Sequence, residues 1–186
     1  RPEQNDAIKE IKKRDFSICV APPGFGKTLL GAKIFEQRAC TTMIVVNKNM
    51  LLDQWIERFV NYFGYEKKDI GYLGKGHNKL NGMIDVATMQ SLKNDIEIIN
   101  NYSFVIVDEC HHIPAITFEQ IIKNFKGKYI LGLSATPNRK DDLQPILYQQ
   151  LGEISYEYKK KRTHINKLQI IKTDFCSTAD NYTSII

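Results

Sequence analysis

Residues 21–28 read APPGFGKT and follow the apolar run Phe16–Val20 directly. Gly24 and Gly26 carry no Cβ, so the backbone between them can turn sharply and aim its N–H groups at an anion. Lys27 supplies a cation able to reach the β and γ phosphates of a nucleotide, and the Thr28 hydroxyl can bind Mg²⁺. A plain strand-to-helix turn with a chance Lys-Thr is the competing reading. A buried strand before the stretch and a helix after it are the context that a phosphate loop requires. One departure stands out: the usual G-x-x-x-x-G-K-[ST] has glycine where this chain has Ala21. A second apolar run, Phe104–Val107, ends in Asp108-Glu109-Cys110-His111-His112. Adjacent carboxylates at a strand end repel each other unless a cation or a reaction uses them. Asp108 can hold Mg²⁺ through its water shell while Glu109 orients and activates an attacking water. Zinc at Cys110-His111-His112 is disfavoured, because neighbouring residues at a strand end point in different directions and no fourth ligand is near.

These residues need elements that bring them together. Apolar runs near 16–21, 42–46, 69–73, 84–88, 103–107 and 128–133 predict strands, and amphipathic stretches at 27–39, 50–63 and 115–124 predict helices between them. Met43–Val46 and Phe104–Val107 are apolar throughout, as strands covered on both faces are. Strands alternating with helices predict an α/β fold with a mostly parallel central sheet and helices on both faces. Ligands of such sheets sit beyond the carboxyl ends of the strands, where both candidate stretches fall. After Gly152 the chain reads ISYEYKKKRTHINKLQIIKTDF, a last strand followed by a connector leading out of the domain. Residues 1–158 are read as one domain and 159–186 as the last-strand region and connector. The cluster Lys159-Lys160-Lys161-Arg162 reads as a solvated face.

A chain of 186 residues with 42% hydrophobic and 25% charged residues suits one well-buried globular domain. The formal charge of +5 and pI of about 8.9 suit a polyanionic partner but do not identify one. Cys19, Cys40, Cys110 and Cys176 are scattered, which predicts free thiols in a reducing, intracellular compartment. No apolar run approaches the roughly 20 residues of a membrane span, and no signal peptide opens the chain. Because the sequence starts at Arg1, it reads as a piece of something longer.

Further stretches raise the specificity. Ser134-Ala135-Thr136-Pro137 follows the run Tyr129–Leu133, Asp85-Val86-Ala87-Thr88-Met89-Gln90-Ser91-Leu92 precedes the acidic pair, and Arg1-Pro2-Glu3-Gln4 lies ahead of the glycine loop. With APPGFGKT and DECH, their order and spacing resemble the first RecA-like P-loop domain of superfamily 2 helicases and translocases of the DExH type. Within it the chain looks most like the group of the repair helicase XPB, the phage helicase UvsW, type III restriction motors and helicases of large DNA viruses; SATPNRKDD is especially similar. The resemblance covers about residues 1–158.

The resemblance implies ATP and Mg²⁺ as ligands. Gln4 matches the glutamine that reads the adenine edge, with Arg1 beside it, since an amide pairs a donor with an acceptor. Pro23, Gly24, Phe25, Gly26, Lys27 and Thr28 match the phosphate loop, Thr28 and Asp108 the metal residues, and Lys27, Asp108 and Glu109 the catalytic set. His111, Ser134 and Thr136 match residues that couple the nucleotide site to the nucleic-acid face. Asn47 and Lys48, with Thr88 and Gln90, match nucleic-acid contacts suited to gripping phosphates without reading bases. His112, Trp55, Phe63, Tyr65 and Tyr72 read as structural.

The resemblance also implies a second RecA-like domain, whose arginine fingers complete the site, and the residues after 158 are too few to form it. The domain by itself is therefore expected to be monomeric, to bind ATP weakly and to hydrolyse it barely, and to sit in a DNA helicase or translocase. An RNA helicase, a P-loop kinase or GTPase, and a nucleic-acid-binding module without turnover are the alternatives.

Overall fold

The computed structural model describes residues 1–112, 115–136 and 144–159. Pro137–Asp142 of the SATPNRKDD stretch, Lys160–Arg162 of the basic cluster, Cys176 and the connector lie outside the described residues. The strands are β1 (Phe16–Val20), β2 (Thr42–Val46), β3 (Gly71–Gly74), β4 (His77–Lys79), β5 (Ile84–Thr88), β6 (Phe104–Val107), β7 (Tyr129–Ser134) and β8 (Ile154–Glu157). The helices are α1 (Pro2–Lys12), α2 (Lys27–Arg38), α3 (Asn49–Phe63), α4 (Met89–Leu92), α5 (Ala115–Asn124) and α6 (Gln144–Leu151).

The eight strands of the described residues form one sheet in the order β4-β3-β5-β2-β6-β7-β1-β8. Every neighbouring pair is parallel except β3 with β4, a hairpin at one edge. This is the RecA-like P-loop arrangement. Alternation along each strand splits the core into two layers. Cys19, Ile44, Val46, Ile106 and Leu133 pack under α1, α2 and α3. Ile18, Met43, Val45, Val105 and Val107 pack on the other face, with α4, α5 and α6. Both faces of β2 and β6 are covered, which is why their sequences show no alternation.

Two predicted boundaries shift. The strand expected from residue 69 starts at Gly71, because Lys67–Asp69 winds into a 3₁₀ turn whose Asp69 carboxylate accepts the Glu66 N–H at 3.3 Å. The last strand, assigned with the connector to 159–186, is β8 at Ile154–Glu157, which pairs with β1 and so extends the sheet beyond that strand. Helix α1 went unpredicted, although Pro2 in its first turn and the buried Ala7 and Ile11 on one face mark it. A buried carboxylate secures the opposite edge. Asp85 accepts from the Tyr102 hydroxyl at 2.7 Å and from the Asn81 and Gly82 N–H groups, each at 2.8 Å. A Cβ at Gly71 would land 1.8 Å from that carboxylate, so only glycine fits there. Among the described residues no helix is long and apolar enough to cross a membrane.

Candidate functional site

Register places the chemical stretches side by side. Val20, the last residue of β1, is opposite Ser134 of β7, and Val107 of β6 is opposite Gly132. The turn Ala21–Gly26, the Ser134–Thr136 segment and the Asp108–Glu109 pair therefore leave one sheet edge from neighbouring strands. Beyond it is an open cleft of about 400 Å³ lined by the glycine turn, by Gln4 and by Asp108 and Glu109.

The turn depends on left-handed backbone at Gly24 (φ 79°) and Gly26 (φ 92°). At Gly26 a Cβ would also meet Gln4 Nε2 at 2.5 Å, whereas at Gly24 it would meet nothing within 4 Å. Gln4 is fixed there because its Nε2 donates to the Phe25 carbonyl at 2.8 Å, while Arg1 Nη1 reaches the Gly24 carbonyl at 3.4 Å. Phe25 is anchored against Tyr158, ring centres 5.2 Å apart. The missing glycine at 21 needs no remedy. Ala21 does not have a positive φ, and its N–H continues the ladder to the Ser134 carbonyl at 2.9 Å.

Lys27, only 8% exposed, starts α2 with its side chain folded back over the turn. Its Nζ donates to the Ala21 carbonyl at 2.9 Å and lies 3.6 Å from Glu109 Oε1. Asp108 is 5% exposed. Burial pushes its carboxyl up from the ordinary range, against the opposing pull of the Trp55 indole. Its Oδ2 accepts from Trp55 Nε1 at 2.8 Å and its Oδ1 from the Glu109 N–H at 3.0 Å. Glu109 has φ 47°, a left-handed conformation that costs a non-glycine residue about 1–3 kcal/mol and is found where structure imposes it. That reversal turns the Glu109 side chain towards Lys27 and sends Cys110 into the opposite core layer.

Glu109 Oε2 is buried without a hydrogen bond among the described residues, at a long 3.4 Å from His111 Nδ1. His111 Nδ1 is 3.0 Å from Ser134 Oγ, and the same hydroxyl donates to the Thr136 carbonyl and accepts its N–H. A polar chain thus runs from the acidic pair to the end of β7. His112 is exposed and packs its ring against His111, centres 3.9 Å apart.

Asn47, Lys48, Thr88 and Gln90 lie further along the same edge, since Val46 of β2 is opposite Thr88 of β5. The Thr88 hydroxyl caps α4 by accepting the Ser91 N–H at 3.3 Å. Lys48 and Gln90 are exposed, and Asn47 Oδ1 is buried without a hydrogen-bond partner among the described residues. Sequence reasoning missed one wall of the cleft, the stripe Leu51, Gln54 and Arg58 on α3. Their spacing of three and four residues was the available signal. Trp55 is core as expected, 1% exposed, yet it also touches the acidic pair. Phe63 and Tyr65 pack with Phe59, and Tyr72 is likewise partly buried against the core.

A parallel sheet with a glycine turn, a buried lysine and an acidic pair at one edge defines a P-loop domain of the helicase type. The chain belongs to the family described as type III restriction enzyme, res subunit, whose model matches residues 1–139. It is 35% identical over 159 residues to the DNA 3'-5' translocase XPB2 of Sulfurisphaera tokodaii, covering 84% of this chain and 35% of that protein. It is 29% identical over 188 residues to a protein of Acanthamoeba polyphaga mimivirus named for ATP-dependent RNA helicase activity, covering 97% of this chain and 35% of that protein. Among solved structures, T4 UvsW superposes with a TM-score of 0.72 at 23% identity, covering 83% of this chain and 33% of that one. The chain spans about a third of the length of these curated relatives.

Proposed function

We propose that the domain is the ATP-binding first half of a DNA helicase or translocase, holding Mg-ATP between the glycine turn and the acidic pair. The approach of Lys27 Nζ to Glu109 Oε1 at 3.6 Å, between loops leaving β1 and β6, carries this reading. Lysine and carboxylate meet there in a cleft lined by backbone turned for an anion. The donor set fits a hard cation, with the Thr28 hydroxyl and a buried carboxylate facing one cleft.

Each residue then has a task. The Gly24–Thr28 N–H groups and the start of α2 grip phosphate oxygens. Lys27 places its charge against them and, held by the Ala21 carbonyl, is already aimed before nucleotide arrives. Arg1 and Gln4 bound the side of the cleft where a base would lie, and Gln4, anchored through Nε2 on the Phe25 carbonyl, would offer the adenine amino group the Oε1 that here accepts from the Arg1 nitrogen at 3.1 Å. Thr28 and Asp108 would hold Mg²⁺, which when bound neutralises charge on the phosphates. Glu109 has an oxygen without a hydrogen bond among the described residues, with which to take a proton from water. His111, Ser134 and Thr136 pass a shift of that carboxylate to the end of β7. Asn47, Lys48, Thr88 and Gln90 grip a strand through its phosphates.

A second RecA-like domain supplies the remaining contacts, including arginines worth about 10³ to 10⁵ in turnover; the domain alone is a monomer with little ATPase activity. A nucleic-acid motor of this kind works inside the cell. The DNA preference is supported by the translocase relative, and the mimivirus relative makes RNA the second reading. ATPase assays of the full-length protein with single-stranded DNA, duplex DNA and RNA side by side test both. DNA is expected to stimulate turnover most. Stimulation by RNA alone selects the second reading, and an unstimulated enzyme that prefers GTP overturns both.

A further inference from the structure

The Asp108 carboxylate is held by a residue from outside its own loop. Trp55 lies on α3, two turns after that helix starts beside Asn47 and Lys48, and its indole Nε1 donates to Asp108 Oδ2 at 2.8 Å. The ring occupies a slot made for it. A Cβ on Gly31 of α2 would stand 2.9 Å from the far edge of the indole, Cη2, so glycine at 31 is what admits the ring between α2 and the sheet. Phe59, one turn further along α3, stacks beside it with ring centres 6.0 Å apart. One side chain thus touches the helix that begins in the phosphate turn, the helix that begins at the nucleic-acid edge, and the carboxylate at the end of β6.

We infer that Trp55 is a positioning residue for the magnesium carboxylate, tying Asp108 to α3 and hence to the Asn47–Lys48 loop. A buried indole N–H must find an acceptor, and the one Trp55 takes is the carboxylate of Asp108, itself 5% exposed, at the end of β6 and not on its own helix. With Oδ2 on the indole and Oδ1 on the Glu109 N–H, the carboxylate has one orientation, and a lone pair on each oxygen stays available to metal-bound water. Displacement of the α3 N-terminus by a strand bound at Lys48 is transmitted through the rigid helix to that orientation. This inference rests on the Mg-ATP reading of the cleft and adds a residue to it.

The test uses the full-length protein and a fluorescent ATP analogue, with the Mg²⁺ concentration giving half-maximal analogue binding as the readout. Loss of an outer-shell partner typically costs about 10–100-fold in metal affinity. Trp55→Phe, which keeps a ring in the slot and deletes the N–H, is expected to raise half-saturating Mg²⁺ about tenfold, the low end, because the Glu109 N–H still holds Oδ1. Phe59→Leu controls for loosened packing and is expected to leave it unchanged. If Trp55→Phe does not fold, Gly31→Ala, which keeps the indole but crowds it off its line to Asp108, is read in the same way. Unaltered Mg²⁺ dependence, or an equal rise in Phe59→Leu, overturns the inference. Analogue binding by the unsubstituted protein that ignores Mg²⁺ overturns instead the cleft reading beneath it.

Discussion

Gly24 and Gly26 make the same backbone demand but differ in surroundings, and comparing alanine at each isolates what Gln4 does. Both have positive φ, 79° and 92°, which costs an alanine roughly 1–2 kcal/mol. At Gly24 that is the whole penalty, since a Cβ meets nothing within 4 Å. At Gly26 the Cβ would be 2.5 Å from Gln4 Nε2. The amide is the far end of a flexible side chain and can swing clear, but it then loses its 2.8 Å bond to the Phe25 carbonyl, about 1 kcal/mol for a neutral hydrogen bond. Gly26→Ala should therefore be less stable than Gly24→Ala by about 1 kcal/mol in urea denaturation. Both variants should bind nucleotide less tightly because both deform the turn. Only Gly26→Ala should also lose discrimination, since Gln4 no longer faces the base. Competition of ATP and GTP against a fluorescent nucleotide measures this directly. An ATP-to-GTP ratio that stays the same in both variants refutes the assignment of Gln4, whatever happens to stability.

Three further outcomes follow from the structure. Tyr102→Phe removes a hydrogen bond to a fully buried carboxylate and should cost about 1.5–3 kcal/mol in denaturant unfolding; a loss below about 0.5 kcal/mol would mean the Asn81 and Gly82 N–H groups suffice. Burial pushes the Cys19 thiol from 9.0 up to about 12, partly opposed by Lys27. The unfolded chain gives up that proton first as pH rises, so stability from this group falls between pH 9 and about 12, by roughly 1.4 kcal/mol per pH unit. Cys19→Ala should flatten the alkaline slope by that amount, and an unchanged slope contradicts it. Ser134→Ala breaks the contact with His111 Nδ1 at 3.0 Å and should reduce nucleic-acid stimulation of ATPase by about fivefold, the equivalent of one hydrogen bond; full stimulation would place the coupling elsewhere.

Much of this was legible because the chemistry is local. A phosphate turn needs glycines followed by Lys-Thr, and Gly24, Gly26, Lys27 and Thr28 all fall within residues 24–28. The strands were readable because burial on both faces leaves apolar runs such as Phe104–Val107. What was hidden is long-range. That β7 sits between β1 and β6, bringing Ser134 to His111, is strand order, which no spacing encodes. Arg58 and Gln54 join the cleft only because α3 packs against α2. Trp55 looked like core and is core; its bond to Asp108 spans 53 residues of sequence. Helix α1 is charged on most of its surface, so its narrow apolar stripe of Ala7 and Ile11 gave a faint signal. Short β4, exposed at all of its residues, gave none.

In the proposed mechanism Glu109 takes the proton from water attacking a nucleotide gripped by Lys27 and its turn. Glu109→Gln in the full-length protein tests it most directly, with ATP binding and nucleic-acid-stimulated turnover measured on the same sample. A general base contributes about 10² to 10⁴ in rate, so turnover should fall by at least about a hundredfold while ATP binding persists. Turnover close to that of the unsubstituted protein would contradict the account, and so would loss of ATP binding with the fold intact.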